Sequence, residues 1–167
     1  MNLENILPKL PAITAWIDAT LAAYAAQVRP VADFGFKRLP DFYSPDLLAR
    51  AKVVVVERIP FPPLPALGLP DLSAFVGGDS DGITYKDTYF LKATQVADES
   101  LHFHELVHVV QWAHLGVEGF LMAYAKGLLE QGYRQSPLEV MAYDLQAYFK
   151  RNGQPMDVEA FVRGKLG

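Results

Sequence analysis

Cysteine is absent from the 167 residues. That excludes disulfides, thiolate metal sites and cysteine nucleophiles, so any bound metal must be held by nitrogen and oxygen. No apolar run approaches the length of about 18 residues that a membrane-spanning helix needs. An excess of basic residues is also missing: 15 Lys and Arg stand against 19 Asp and Glu, a net charge of −4. A nucleic-acid partner is therefore not expected, since it would leave a basic footprint, and neither is a membrane partner. The N-terminus places Glu4 where the basic segment of a signal peptide would stand. The cytoplasm is the default expectation, and leaderless export would leave the same sequence.

Disorder is excluded by a hydrophobic content of 51% against 20% charged. The length suits one domain over residues 1–167. Proline is missing between positions 71 and 136, whereas ten of the twelve prolines lie at or before position 70. The second half is therefore where long regular elements can run. In the first half, apolar spacing from Ile13 to Val28 predicts an amphipathic helix over 12–28, stopped by Pro30. One helical turn is expected at 45–50, then a central strand at Val53 to Val56. Pro60, Pro62, Pro63, Pro65 and Pro70 predict an extended, polyproline-like arm, read as a rigid surface connection or as a partner-binding segment. Leu72 to Val76 suggests a short strand. Ile83 to Leu91 suggests a strand or a hairpin turning at Lys86 and Asp87. Four helices follow, at about 99–115, 117–131, 136–150 and from Asp157 onward. Strands first and helices after describe an α+β fold.

All four histidines fall between positions 102 and 114, and His104-Glu105-Leu106-Val107-His108 forms an HExxH pattern. On a helix, residues four apart lie about 40° apart in azimuth and about 6 Å in rise, so two imidazoles can grip one ion. Glu105 lies about 100° round, near enough to reach a water on the ion without ligating it. Zinc held by three protein ligands keeps a position for water and lowers that water's pKa to about 7, and a neighbouring carboxylate can then take its proton. Around this segment Leu101, Phe103, Leu106, Val107, Val109, Val110, Trp112 and Leu115 occupy nearly every azimuth, as in a buried helix. Burying two imidazoles and a carboxylate without partners would cost several kcal/mol, roughly, which a metal and its water would offset. His102 and His114 lie about 160° and 80° from His104, and both are read as non-ligands.

No histidine remains downstream to serve as third ligand. Glu139 is the best placed carboxylate, on the first turn of a helix opened by Ser136 and Pro137. Yet Ser136-x-x-Glu139 is also a capping box, in which the glutamate bonds back to the N-cap amide. Spacing alone leaves ligand and cap equal.

HELVHVVQW, followed by the glutamate of SPLEVMAY, resembles the gluzincin branch of the zincin metallopeptidases, in particular the short single-domain bacterial minigluzincins. The similarity covers about residues 83–150, including ITYKDTYFLKA before the motif. It implies a zincin-like fold, with a small twisted sheet from residues 53–91 packed on the HExxH helix and the later helices closing the other side. It also implies one zinc ion per chain held by His104, His108 and Glu139, with Glu105 as general base. A strand edge upstream would hold the substrate. Gluzincins often carry an aspartate four residues after the ligand glutamate, where it orients a histidine. Here that position is Tyr143, which could bond a ligand, stabilise an oxyanion or pack; Asp144 comes one residue late.

The expected function is zinc-dependent hydrolysis of a peptide bond in a peptide or protein substrate. The competing reading is a metal-stabilised, inactive binding module of peptidase ancestry, with the proline arm as its interaction surface. No further cofactor is expected. Asp79-Ser80-Asp81-Gly82 lacks most oxygen positions of a calcium loop and reads as a turn. Gly77-Gly78 has neither the spacing nor the lysine of a phosphate loop.

Overall fold

A computed structural model of the chain describes residues 3–73 and 80–167. It is an α+β fold whose four strands, β1 (Arg29–Pro30), β2 (Lys52–Val56), β3 (Gly82–Tyr85) and β4 (Thr88–Lys92), form a mixed sheet in the order β1-β2-β4-β3. The middle pair, β2 and β4, is parallel, with Val54 opposite Phe90, and both outer pairings are antiparallel. The valine run of β2 has no polar alternation because this strand is covered on both faces. Val53, with Tyr89 and Leu91 of β4, faces one apolar cluster, and Val54 with Phe90 faces the other.

Against the first face lies α4 (Glu99–Gln131), which buries Phe103, Leu106 and Val107 completely. Removing each such side chain from water contributes about 1.5–3 kcal/mol. α4 is two helices joined at Gly116, whose φ of 70° breaks the helical path at the boundary expected from the sequence. A left-handed φ is open to glycine at little cost. α5 (Pro137–Lys150) and α6 (Val158–Leu166) pack alongside α4. α6 opens on Asp157, whose side chain accepts a hydrogen bond from the Ala160 amide.

The second face is covered by the N-terminal segment, α1 (Leu3–Ile6) and α2 (Leu10–Ala23), through Ile6, Leu10, Ile13 and Ile17. α2 is shorter than the expected 12–28. Arg29 and Pro30 pair with Val53 and Lys52, so the chain must already be extended there, and proline disfavours helix in the residue before it. α3 (Pro45–Arg50) is the expected single turn, capped by the Ser44 side chain accepting from the Leu47 amide.

The proline-rich stretch is not a free arm. It turns at 64–68, where the Leu69 amide donates to the Leu64 carbonyl, and buries Leu64, Leu69 and Leu72. These leucines anchor it to the N-terminal helix cluster. Leu72 belongs to a single 3-10 turn (Pro70–Leu72) that Ser73 closes instead of opening the expected strand, and 74–76 lie outside the described residues, as do Gly77, Gly78 and Asp79. At 83–91 the hairpin is the outcome, with Lys86 at a φ of 59° carrying the reversal. No helix among the described residues is long and apolar enough to cross a membrane.

Candidate metal centre

Residues 102–112 of α4 are all buried, as their all-round apolar pattern requires. His104 and His108 project from one side of this helix, four residues apart, and their Nε2 atoms are 3.2 Å from each other. α5 crosses that side and brings Glu139 to them, with Oε2 3.5 Å from both Nε2 atoms. The three groups are buried and could hold a metal ion. Their separations fit one. Metal–ligand bonds of about 2.0–2.1 Å at tetrahedral angles put the ligand atoms about 3.3–3.4 Å apart. Moreover, Glu139 Oε2 has no hydrogen-bond partner among the described residues, although it is buried. An orphaned buried carboxylate oxygen calls for an ion or a proton beside it.

Glu139 is thereby removed from the capping role. Ser136 is the N-cap by backbone geometry, but its side chain makes no cap bond and its buried Oγ has no partner among the described residues. The other Glu139 oxygen, Oε1, accepts a 2.9 Å hydrogen bond from the Tyr124 hydroxyl on the second arm of α4. Gly127, one turn further along that arm, permits this crossing: a Cβ there would stand 2.7 Å from Ser136 Cβ.

No family model, curated protein or solved structure matches this chain.

Charge within the group is strongly coupled. Burial opposes a charge on His108, yet the neighbouring Glu139 carboxylate prevails and lifts its pKa to about 9. Burial likewise pushes the Glu139 carboxyl up, but His108 and His104 more than offset this and hold it well below the usual carboxylate range. Metal-free protein thus keeps a proton on His108 at neutral pH, and an incoming ion must displace it. Affinity should rise with pH up to about 9, by nearly tenfold per unit for one displaced proton. Calorimetric titration in two buffers of different ionisation enthalpy measures that release directly. Release of no proton would place the ion elsewhere.

Glu105 stands beside the triad, buried. Thr84 on β3 donates to its Oε2 at 2.6 Å. Its Oε1 runs along Gly82, where an added Cβ would come within 2.6 Å of it. Burial raises its carboxyl above the ordinary value, against the lowering pull of His104, His108 and the Thr84 bond. Among the described residues β3 is the outer strand of the sheet, paired with β4 on one side only.

The other two histidines lie apart from the triad. His102 is fully buried between the Tyr89 hydroxyl at Nδ1 and the Val96 carbonyl at Nε2, with Phe34 and Phe36 against its ring. His114 is exposed, 3.4 Å from the Gly167 carbonyl. Asp144 is exposed as well. Tyr143 sits face to side with His104, ring centroids 4.6 Å apart, with the Arg134 guanidinium over its ring. The partner of His104 Nδ1 is instead Gln146, at 3.2 Å. His108 Nδ1 meets Gln111 at 2.8 Å.

Sequence reasoning missed Gln111, Gln146, Thr84 and Tyr124. The first two carried a signal: Gln111 follows His108 by one helical turn, and Gln146 follows Glu139 by two. Thr84 and Tyr124 become visible only when a strand and a second helix are placed against the motif.

Substituting Glu139→Gln separates the two roles. The amide oxygen can still accept from Tyr124, but the charged donor is lost. Metal affinity should fall by more than about tenfold with a modest loss of stability. Unchanged affinity in a competition titration would leave Glu139 a structural residue.

Proposed function

We propose that this protein is a zinc-dependent peptidase of zincin-like, gluzincin-type design. The observation that carries the reading is the convergence of two imidazole nitrogens and one orphaned carboxylate oxygen at a tetrahedral spacing, with a second carboxylate beside them that ligates nothing. One N/O set with three protein donors suits zinc with an open position. A bound divalent ion would polarise a carbonyl and acidify a water at that position.

The residues of the chain supply the rest. Glu105 receives the proton, and Oε1 is the assigned oxygen because Thr84 occupies Oε2. In hydrolysis that proton passes on to the leaving amine, leaving Glu105 ionised for the next cycle. An extended peptide would lie along the outer edge of β3 by strand addition, where the Gly82 and Thr84 carbonyls already accept from Ser80 Oγ and Trp112 Nε1 and the amides remain to be paired. Tyr133 and Tyr143 line the cavity with Glu139 and bring hydroxyl groups that can donate to developing charge, whereas the Tyr124 hydroxyl is already committed to Glu139.

A cavity of about 670 Å³ joins this cluster to an apolar wall that includes Ile13, Ile17, Leu64 and Phe120. Polar groups on that wall are already engaged. Trp112 Nε1 donates to the Thr84 carbonyl, and the Tyr85 hydroxyl donates to that of Pro60. A large apolar side chain entering against that wall would be favoured over a charged one, which would lose its hydration there. The test is cleavage of a mixed peptide library by zinc-loaded protein near neutral pH. Cut sites flanked by bulky apolar residues are expected. Absence of any cleavage would move the reading to a metal-stabilised binding module.

A further inference from the structure

The two helices that carry the triad are joined by a pair of side-chain amides whose directions can be worked out atom by atom. Gln111 belongs to α4, and its Nε2 donates to the Leu138 carbonyl on α5, at 3.1 Å. A carbonyl can only accept, so the amide nitrogen must face Leu138 and the amide oxygen must face His108. That oxygen lies 2.8 Å from His108 Nδ1, which therefore carries the hydrogen.

Gln146 mirrors it from α5. Asp98 Oδ1 accepts from the Ser100 hydroxyl at 2.7 Å, which commits the serine hydrogen. Ser100 Oγ is then an acceptor toward Gln146 Nε2, 3.4 Å away. The Gln146 oxygen is left facing His104 Nδ1 at 3.2 Å. Each chain of bonds thus ends on an acceptor that cannot donate: a backbone carbonyl in one case, a carboxylate in the other.

We infer that Gln111 and Gln146 are reciprocal braces: each fixes the Nδ1–H of one histidine, turns its Nε2 toward the point it shares with Glu139 Oε2, and ties the HExxH helix to the helix of the third donor. The inference rests on His104, His108 and Glu139 holding a metal, and not on the chain's cutting peptides. Gln111 binds the residue immediately before Glu139, so it couples the aim of His108 to the position of the third donor. Both are positioning residues, since neither offers an atom to the triad.

The two braces are not equivalent. At position 146 a carboxylate would still meet donors, because the Ser100 hydroxyl can turn from Asp98 to it while His104 Nδ1–H remains. At position 111 a carboxylate would be driven against the Leu138 carbonyl in a fully buried site. Gln146→Glu should therefore be accepted and Gln111→Glu rejected, an asymmetry that the lesser burial of position 146 reinforces, so the ring protons decide between bracing and burial.

The experiment uses the full chain and zinc alone. Affinity is measured by competition with a chromophoric chelator, and the histidine ring protons of the zinc-loaded protein by nitrogen–proton correlation spectra. Wild type should show two exchange-protected Nδ1–H protons. Gln111→Leu and Gln146→Leu should each lose the protection of their own histidine and bind zinc about 10- to 100-fold more weakly. Gln146→Glu should restore affinity to within about threefold of wild type, and Gln111→Glu should not, staying at least about tenfold weaker. Should Gln111→Glu fail to fold, Gln111→Leu carries that arm, because it leaves no charge buried.

Coordination through Nδ1 would overturn the inference. So would leucine variants that lose thermal stability while zinc affinity and ring protons stay as in wild type. In either case the metal centre itself would stand. Folded wild type that takes up no zinc would overturn both together.

Discussion

Purified protein should contain about one zinc ion per chain, and His104→Ala or His108→Ala should contain none. Each substitution removes one of three donors and leaves the other imidazole facing Glu139 Oε2 at 3.5 Å with nothing between them. Two remaining donors on opposite helices cannot hold an ion as three can, and losses well beyond the roughly 10- to 100-fold seen for outer partners are expected. Elemental analysis after dialysis against a weak chelator measures this. A folding control matters because the triad is buried. Metal-loaded wild type should gain thermal stability with metal concentration by about 2.7 kcal/mol at 100 times the dissociation constant, and the variants should gain nothing. Wild type that stays metal-free at full stability under added zinc would remove the enzymatic reading altogether.

Glu105→Gln should keep its metal and lose its chemistry. The side chain is not one of the three donors, and glutamine can still accept the Thr84 hydroxyl at the position of Oε2. What disappears is a proton acceptor, whose contribution is typically about 10²- to 10⁴-fold. The zinc content of the variant should equal that of wild type, and apolar peptides should still bind to it. The pH profile of wild type supplies a second check. Burial holds the Glu105 carboxyl above its ordinary value, and the base acts only when ionised. Activity should therefore rise with pH along an acid limb that Glu105→Gln removes. A variant that cleaves as fast as wild type would mean that another group takes the proton.

Much of this was legible in residue order, for identifiable reasons. HExxH declares itself because helical geometry alone brings positions 104 and 108 together, with no help from the rest of the fold. Its burial was readable from the apolar residues at every azimuth. The helix break at Gly116 and the cap at Asp157 follow from local backbone chemistry. Glu139 was ambiguous because a capping box and a ligand look identical in one dimension. The ambiguity ends only with Tyr124, fifteen residues upstream, whose hydroxyl draws the carboxylate inward. The surface connection expected of the proline segment left out its anchors, since nothing in its spacing shows that Leu64 and Leu69 would find an apolar face to enter. The helix over 12–28 was overextended because β1 is two residues long and leaves no sequence signature.

The parallel pairing of β2 with β4 bears on how the chain reaches this state. Lys52 lies opposite Thr88, so the central ladder can close only after a long intervening stretch has been gathered in. By contrast, the β3–β4 hairpin and α4 with α5 place Thr84, Glu105, both histidine donors, Glu139 and both glutamines within one contiguous run of chain. Short loops close sooner than long ones. The topology thus favours early assembly of the chemically equipped half, and the N-terminal half, with its four isoleucine and leucine contacts and its valine strand, docks onto a surface already shaped. Mutations in that first half should then speed unfolding more than they slow folding.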